Sequence, residues 1–488
     1  EFRRVLFRSV PVVADGRVLG IVTRTDLIKL WGRAPRPARQ AQIASLLDQH
    51  LPPEFAAFLH QARDAANDLG YSLYVVGGFV RDLLLGQPTL DVDLVVEGDA
   101  IAVAQRLAAK LGGRVRTHGR FGTAKVILDE TRPPVLPASF DLVTARTEFY
   151  THPTALPQVE RSSIKQDLYR RDFTINTMAI CLDRNRYGEL LDFYGGERDL
   201  RDGLIRVLHS LSFVEDPTRI LRAVRFEQRL GFRLEERTEE LLRTALELLD
   251  RVSGDRVRHE LYLILREQAP ERAWQRLHDL GVLAQISPGL VADEWTSLKL
   301  REMATCIAGW RGASMTGEGV AGSPWPEVAG GRIPVELPSL ALLTMRMVQA
   351  ALRRVMERLT MPRPQAEVLE QAHQLWRLLP QLGQELSGSA LAALLRPFGE
   401  AALLAAWVAA DGPFAREQIE LYQCRLRRVR PAIDGRRLRE LGLKPGPAFG
   451  RVLDALRDAR LDGSVNTPAE EEALLRQLVE AISQGSSK

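Results

Sequence analysis

The run Val76-Gly77-Gly78-Phe79-Val80-Arg81-Asp82, followed nine residues on by Asp91-Val92-Asp93, constrains this chain more than any other stretch. Leu73 to Val76 reads as a short buried strand, and the glycine pair at its end lets backbone N–H groups approach a phosphate chain without a side chain in the way. Arg81, in the helix expected over 79–85, offers a planar fork that can grip a triphosphate with two parallel hydrogen bonds. Asp91 and Asp93 alternate with Val92 at the period of a strand expected over 91–96, so both carboxylates fall on one side of it. Two neighbouring carboxylates repel unless a cation sits between them, and Mg²⁺, with its oxygen ligands and retained substrate phosphates, is the natural occupant. Either feature alone is commonly a turn or a solvated strand end. In this order they point to nucleotidyl transfer.

Three further segments extend that chemistry. Asp141 opens the apolar strand expected over 140–145, on the same sheet as Asp91 and Asp93. Three carboxylates can hold two metal ions, one activating a 3′-hydroxyl and the other neutralising the triphosphate and the leaving pyrophosphate. The plainer reading pairs Asp141 with Arg146. Arg170-Arg171-Asp172 reads as a basic helix entrance, where Asp172 caps and the helix dipole adds to the attraction for phosphate. Asp216, Arg219 and Arg222 recur at helical spacing and share one face. Their acceptors and donors can hydrogen-bond the Watson–Crick edge of a base, so that a helix imitates a template strand. A capping acid with i,i+3 ion pairs is the alternative. Asp192 to Gly196, with Asp199 and Leu200, reads as a structural turn.

The remaining organisation is a mixed head followed by helices. At 488 residues the chain has room for roughly three or four domains. It is 45% apolar and 26% charged, without the uninterrupted apolar run of about 18 residues that would span a bilayer. Net charge is only +4, but the cations are overwhelmingly arginine, the residue suited to bidentate phosphate contact. Cys181, Cys306 and Cys424 lie far apart with no CxxC spacing, which fits a reducing cytoplasm. The chain starts at Glu1 without a secretory signal, as a fragment or processed chain would, and residues 1–9 match no motif. Val10 to Leu27 reads as strand, Asp15-Gly16 turn, strand and helix start. Residues 33–52, beginning in Arg33-Ala34-Pro35-Arg36-Pro37, read as a linker. A helix over 54–69 opens the head, which spans 53–205 with further strands at 114–117, 123–128 and 140–145 and a helix at 99–111. From 206 the apolar spacing turns to three and four, giving an all-helical neck (206–300), body (301–430) and tail (431–488), with a Gly/Pro-rich break at 311–338. The 129–139 segment reads as a mobile loop or, through its prolines, a rigid connection. Arg425, Arg427, Arg428 and Arg430 form a basic run suited either to RNA or to solvent.

Taken in order, these motifs resemble the class II tRNA nucleotidyltransferase and bacterial poly(A) polymerase family over roughly residues 70–290 and again near Leu441 to Pro447 and Leu461 to Gly463. The match also takes in Tyr150, Pro153, Leu156-Pro157, Asp167-Leu168, Arg256 and Glu260, with Thr177 standing where alanine is usual. The resemblance implies an α+β fold, with a polymerase-β-like head followed by helical neck, body and tail that hold the acceptor arm of tRNA. It implies that Gly78, Arg81 and Arg171 hold the triphosphate of ATP or CTP, with Gly77 in the same turn. Asp91 and Asp93 would hold the metals, Asp216 and Arg219 the base, and Arg222 and Arg225 would be further nucleotide-site arginines. The Val10–Leu27 segment is similar to the closing half of a CBS motif, whose Thr and Asp, here Thr23 and Asp26, contact an adenine nucleotide's ribose. The alternative is that these two only cap a helix.

Overall fold

A computed structural model of the chain describes residues 9–14, 17–23, 37–87, 90–129, 132–133, 136–149, 158–315, 324–443 and 446–485. It divides into two compact units, Glu1–Ser212 and Phe213–Lys488.

The first unit is built on a seven-stranded mixed sheet. Its strands are β3 (Ser72–Val76), β4 (Asp93–Glu97), β5 (Arg114–His118), β6 (Thr123–Ile127), β7 (Ser139–Thr144), β10 (Met178–Cys181) and β11 (Leu190–Asp192), in the order β11-β10-β3-β4-β7-β6-β5. A separate hairpin pairs β1 (Ser9–Ala14) with β2 (Arg17–Thr23), and another pairs β8 (Arg146–Phe149) with β9 (Gln158–Arg161). In the main sheet β4 and β7 run parallel, while the other neighbours are antiparallel. Side-chain alternation gives the sheet two different faces. On one, Phe140 stacks on Phe58 at 3.7 Å between ring centroids, with Phe55 beside them, so helix α2 (Pro53–Asn67) covers that face. On the other, Tyr74, Val76, Val95, Ala179 and Cys181 pack against Ile164 and Leu168 of α5 (Ile164–Tyr169). Between β3 and β4 lies the short α3 (Gly78–Leu84), and between β4 and β5 lies α4 (Ala100–Leu111), N-capped by Asp99, whose Oδ1 accepts from the N–H groups of Ile101 and Ala102.

The register aligns one row of residues across the sheet: Ala179, Val76, Asp93, Asp141, Lys125 and Arg116 are successive partners on β10, β3, β4, β7, β6 and β5. Residues opposite one another share a face. The row therefore sets Asp93 beside the strand end that leads into Gly77, and Asp141 on the next strand, about 4.8 Å away.

Two expectations about connections are corrected. Residues 37–50 form a helix, α1 (Pro37–His50), rather than linker: Pro37 is the first helical residue, a position where a missing N–H costs nothing. Ile43 and Leu47 are fully buried, and Gln40 and Asp48 bond Tyr187, so α1 is seated on the head. The 311–338 break contains the end of a helix (Glu294–Met315), a short helix Pro326–Ala329 and the start of Glu336–Thr344. Trp325 and Val328 in that stretch are completely buried, so its described part is packed structure as well as a break. Residues 316–323 lie outside the described residues, as do Asp26, Tyr150, Pro153, Leu156, Pro157, Lys444, Pro445 and parts of the 129–139 segment.

The second unit is helical. Its site-bearing elements are α6 (Arg219–Leu230) and α7 (Gly254–Leu265). The C-terminal helices Pro447–Leu461 and Pro468–Gly485 share a small core of Leu438, Val452, Leu456 and Leu475. No single helix among the described residues is long and apolar enough to cross a membrane. All three cysteines are free.

Candidate active site

Gly77 turns the chain from β3 into α3 at φ +71°, a left-handed conformation that disfavours any side chain. A Cβ here would also lie 2.6 Å from Nη1 of Arg171, and one on Gly78 would lie 3.5 Å from Nη2 of Arg81. The glycine turn is thus flanked by two guanidinium groups, and its missing side chains are what let them come so close.

The two arginines are held differently. Arg81 is only 3% exposed, and its fork faces inward: Nε and Nη2 donate to the two carboxylate oxygens of Asp82 at 2.8 and 2.9 Å, and Nη1 donates to Oδ1 of Asn176 at 2.8 Å. The expected bidentate grip of Arg81 on a triphosphate is therefore corrected, because the same fork is spent on Asp82. Adjacent helical residues do not normally face each other, so spacing gave no hint of this pair. Arg171 remains partly open. Its Nη2 lies 3.4 Å from Asp167, while its buried Nε has no hydrogen-bond partner. Arg170 and Arg171 both lean on Asp167, which is fully buried.

The basic helix entrance expected at Arg170-Arg171 is also corrected. Arg170 caps the C-terminal end of α5, and Asp172 instead bonds the N–H of Phe173 and the side-chain amide of Asn176. The i,i+3 and i,i+4 reach back to Asp167 fixes both cations at a helix C-terminus, where the dipole favours positive charge. Asp192 is structural as expected, accepting from the N–H groups of Tyr194, Gly196 and Glu197. Thr177 is fully buried and donates to the Thr174 carbonyl, so it fits without a change of course.

Asp91, Asp93 and Asp141 all reach solvent, but they do not form a ready triad. The strand begins at Asp93, so Asp91 precedes it, and Val92 between them is buried. Asp141 pairs with Lys125 at 3.0 Å, not with Arg146. Among the described residues no three carboxylate, histidine or cysteine side chains are arranged to hold a metal ion. The expected two-metal set of three carboxylates is corrected to an acidic strand end with one member neutralised by lysine. Loss of hydration raises the Asp93 carboxyl above its ordinary value, Arg171 opposes this, and Asp91, Asp141 and Asp167 add repulsion. A site where carboxylates repel is one a divalent cation fits, with Asp91 and Asp93 as the donors.

In the second unit Asp216 lies in the turn before α6 rather than on its face. Its Oδ1 accepts from the N–H of Thr218 at 3.1 Å, from Thr218 Oγ1 at 2.6 Å and from Nη2 of Arg256 at 2.8 Å. Arg219 is buried in the first turn of α6. Arg222 and Arg225 converge on the buried Glu260, at 3.6 and 3.5 Å, an ion pairing with another helix rather than the i,i+3 pairing with Asp216 that spacing offered. Burial lowers the Arg225 guanidinium below its usual value despite Glu260. A cavity of about 450 Å³ opens here, walled by Thr218, Arg256, His259, Glu260 and Tyr262. The Arg425–Arg430 run forms a short helical turn in which Arg427 bonds Gln423 and Arg430 bonds backbone carbonyls.

A glycine turn set beside an acidic strand end, with a guanidinium over the turn, defines a nucleotidyltransferase head. The sequence matches the Poly A polymerase head domain over residues 73–206, the probable RNA and SrmB-binding site of polymerase A over 231–293, and a CBS domain over 1–32. It is 35% identical to an A-adding tRNA nucleotidyltransferase of Geobacter sulfurreducens across 97% of this chain and 54% of that protein. It is 32% identical to a CC-adding tRNA nucleotidyltransferase of Deinococcus radiodurans, covering 87% of this chain and 94% of that one. The Thermotoga maritima CCA-adding enzyme complexed with tRNA superposes with a TM-score of 0.67 at 31% identity, over 90% of this chain and 98% of the other. The chain belongs to the tRNA nucleotidyltransferase and poly(A) polymerase family. It spans about half the length of the A-adding Geobacter relative.

Proposed function

We propose that this protein adds AMP, CMP or both from ATP and CTP to the 3′ end of tRNA, without a nucleic-acid template and with release of pyrophosphate, in the cytoplasm. The observation that carries the reading is the row joining the Gly77 turn to Asp93 and Asp141, with Arg171 over the turn. Asp91 and Asp93 would hold Mg²⁺, which when bound lowers the cost of the charge developing on the transferring phosphate and activates the 3′-hydroxyl. The turn backbone at Gly78 and the partly exposed guanidinium of Arg171 bind and orient the triphosphate. Arg81, locked on Asp82 and Asn176, keeps the turn in shape. Lys125 screens Asp141 until charge arrives nearby. In the helical unit, Asp216 supplies an acceptor and Arg219 donors for the Watson–Crick edge of the base, and the tail holds the acceptor arm.

The test is incorporation by the purified chain of each labelled nucleoside triphosphate with Mg²⁺, on tRNA ending at the discriminator base, at C and at CC. The match to A-adding relatives makes the terminal A on tRNA ending in CC the first product to look for. Equal extension of a generic oligonucleotide would replace this reading with general poly(A) synthesis.

A further inference from the structure

The Asp216 carboxylate is partly exposed, and one of its oxygens is fully committed. Three donors converge on Oδ1: two from Thr218, two residues on, and one from Arg256, forty residues on. No hydrogen bond is made to Oδ2 among the described residues. A carboxylate held through one oxygen by three donors has its plane fixed, and the other oxygen becomes a single aimed acceptor.

The Thr218 contacts alone would anchor the turn, as any Asx turn does. The Arg256 contact differs, because α7 brings it from elsewhere and α7 is itself clamped. A Cβ on Gly254 would lie 2.2 Å from the Arg358 carbonyl, so the first turn of α7 packs directly on backbone. Arg258 donates to the carbonyls of Leu359 and Thr360, and Arg358 donates back to those of Leu249 and Val252. One turn further along α7, Glu260 takes Arg222 and Arg225 of α6. Helix α7 is therefore a fixed backing against which both the turn at Asp216 and the body of α6 are registered.

We propose that Arg256 is a positioning residue for base selection: it orients Asp216 so that Oδ2 accepts from an exocyclic amino group, which cytosine and adenine present and uracil does not. This rests on the reading that Asp216 contacts the base. A carbonyl oxygen placed against the aimed carboxylate oxygen is repelled, so discrimination depends on how tightly the carboxylate is held. Without Arg256 the carboxylate rocks about the Thr218 bonds, and the amino and carbonyl edges are told apart less well.

The experiment compares Asp216→Ala, Arg256→Ala, Arg256→Gln, Arg256→Lys and the double variant Asp216→Ala/Arg256→Ala, measuring kcat and KM for all four nucleoside triphosphates on tRNA together with melting temperature. Arg256→Ala is expected to reduce the preference for its correct nucleotide over UTP by about tenfold, chiefly through KM, as the loss of one directed hydrogen bond would. Arg256→Lys should recover part of that preference, and Arg256→Gln serves should the alanine variant not fold. In the Asp216→Ala background, removing Arg256 should change selectivity no further, because the two act as one unit. A selective Arg256→Ala enzyme beside an unselective Asp216→Ala enzyme would overturn the proposal and leave Arg256 as a plain ion-pair partner. Selectivity retained in Asp216→Ala itself would instead remove the base-contact reading, and this inference with it.

Discussion

The two units treat charge in opposite ways. In the head, Asp93 lies among Asp91, Asp141 and Asp167, its carboxyl pushed upward, and Arg171 carries an unpartnered buried Nε. In the helical unit most of the charges named for the nucleotide have an opposite at hand: Asp216 has Arg256, while Arg222 and Arg225 have Glu260. A cluster of like charge is costly in the isolated fold and is relieved by what binds there. A cross-paired set repels itself less before anything binds, although burial still lowers the Arg225 guanidinium, and its Nε, like that of Arg171, has no hydrogen-bond partner. The head thus gathers carboxylates of like sign, while the helical unit sets its charges mostly against opposites. Altering the head should remove rate, and altering the helical unit should remove choice.

The largest expected effect lies in the head. Asp91→Ala or Asp93→Ala should reduce incorporation by about a thousandfold or more, in line with the transition-state charge a metal stabilises. Filter binding should find tRNA affinity nearly intact. Turnover within tenfold of wild type in both variants would break the contrast at its strongest point. Next comes Arg171→Ala, which should raise KM for the nucleotide by about 10- to 100-fold, the worth of a charge-assisted hydrogen bond or two. Arg81→Ala should show mainly as lost stability, about 3–5 kcal/mol, read as a lowered melting temperature, since it strands buried Asp82. If the two arginine variants behaved alike in both measurements, the distinction between an open and a spent guanidinium would be wrong.

Choice is the quantity to watch in the helical unit. Arg219→Ala should accept UTP or GTP measurably, with discrimination reduced by about one to two powers of ten, while still cleaving triphosphate. A destabilised but fully selective enzyme would show Arg219 to be a buried structural cation. Salt separates the units as well. Binding of tRNA should weaken steeply between about 50 and 200 mM salt as released counterions demand. An unchanged constant would deny the helical arginines any phosphate contact.

Much of this was legible in the residues, and the unread parts share a cause. Strands and helices of the head follow period-two and period-3.6 apolar spacing, which survives folding because burial sets it. The turn at Gly77 was legible because its left-handed backbone favours glycine. What sequence spacing cannot reveal is which opposite charge an arginine chooses. Arg81 turned to its immediate neighbour Asp82, Asp141 to Lys125 across a strand pair, and Asp216 to Arg256 from a distant helix. Such pairings depend on sheet register and helix packing, which long-range contacts decide. Pro37 was misread because proline opens helices as readily as it punctuates linkers.

The smallest effect is also the most direct reading of the head's unbalanced charge. Asp93 has a carboxyl raised above its unfolded value, so in the window between the ordinary carboxylate range and that raised value the folded chain binds more protons than the unfolded one. Stability then falls as pH rises through the window, because unfolding releases the strain of ionising Asp93. Asp93→Asn removes the ionisation while keeping the side chain's shape. The variant should therefore match wild type at pH below the unfolded value, melt higher than wild type above the raised value, and open the gap only within the window. Solvent reaches Asp93, so the gain is small. Adding Mg²⁺ at neutral pH should raise the melting temperature of wild type and leave Asp93→Asn nearly where it was, closing the gap from the other side. Calorimetry of both chains across pH, with and without the cation, measures this. A variant that melts below wild type at every pH without metal would mean that the carboxylate is already compensated within the fold, and that the head's charges are as well matched as those of the helices.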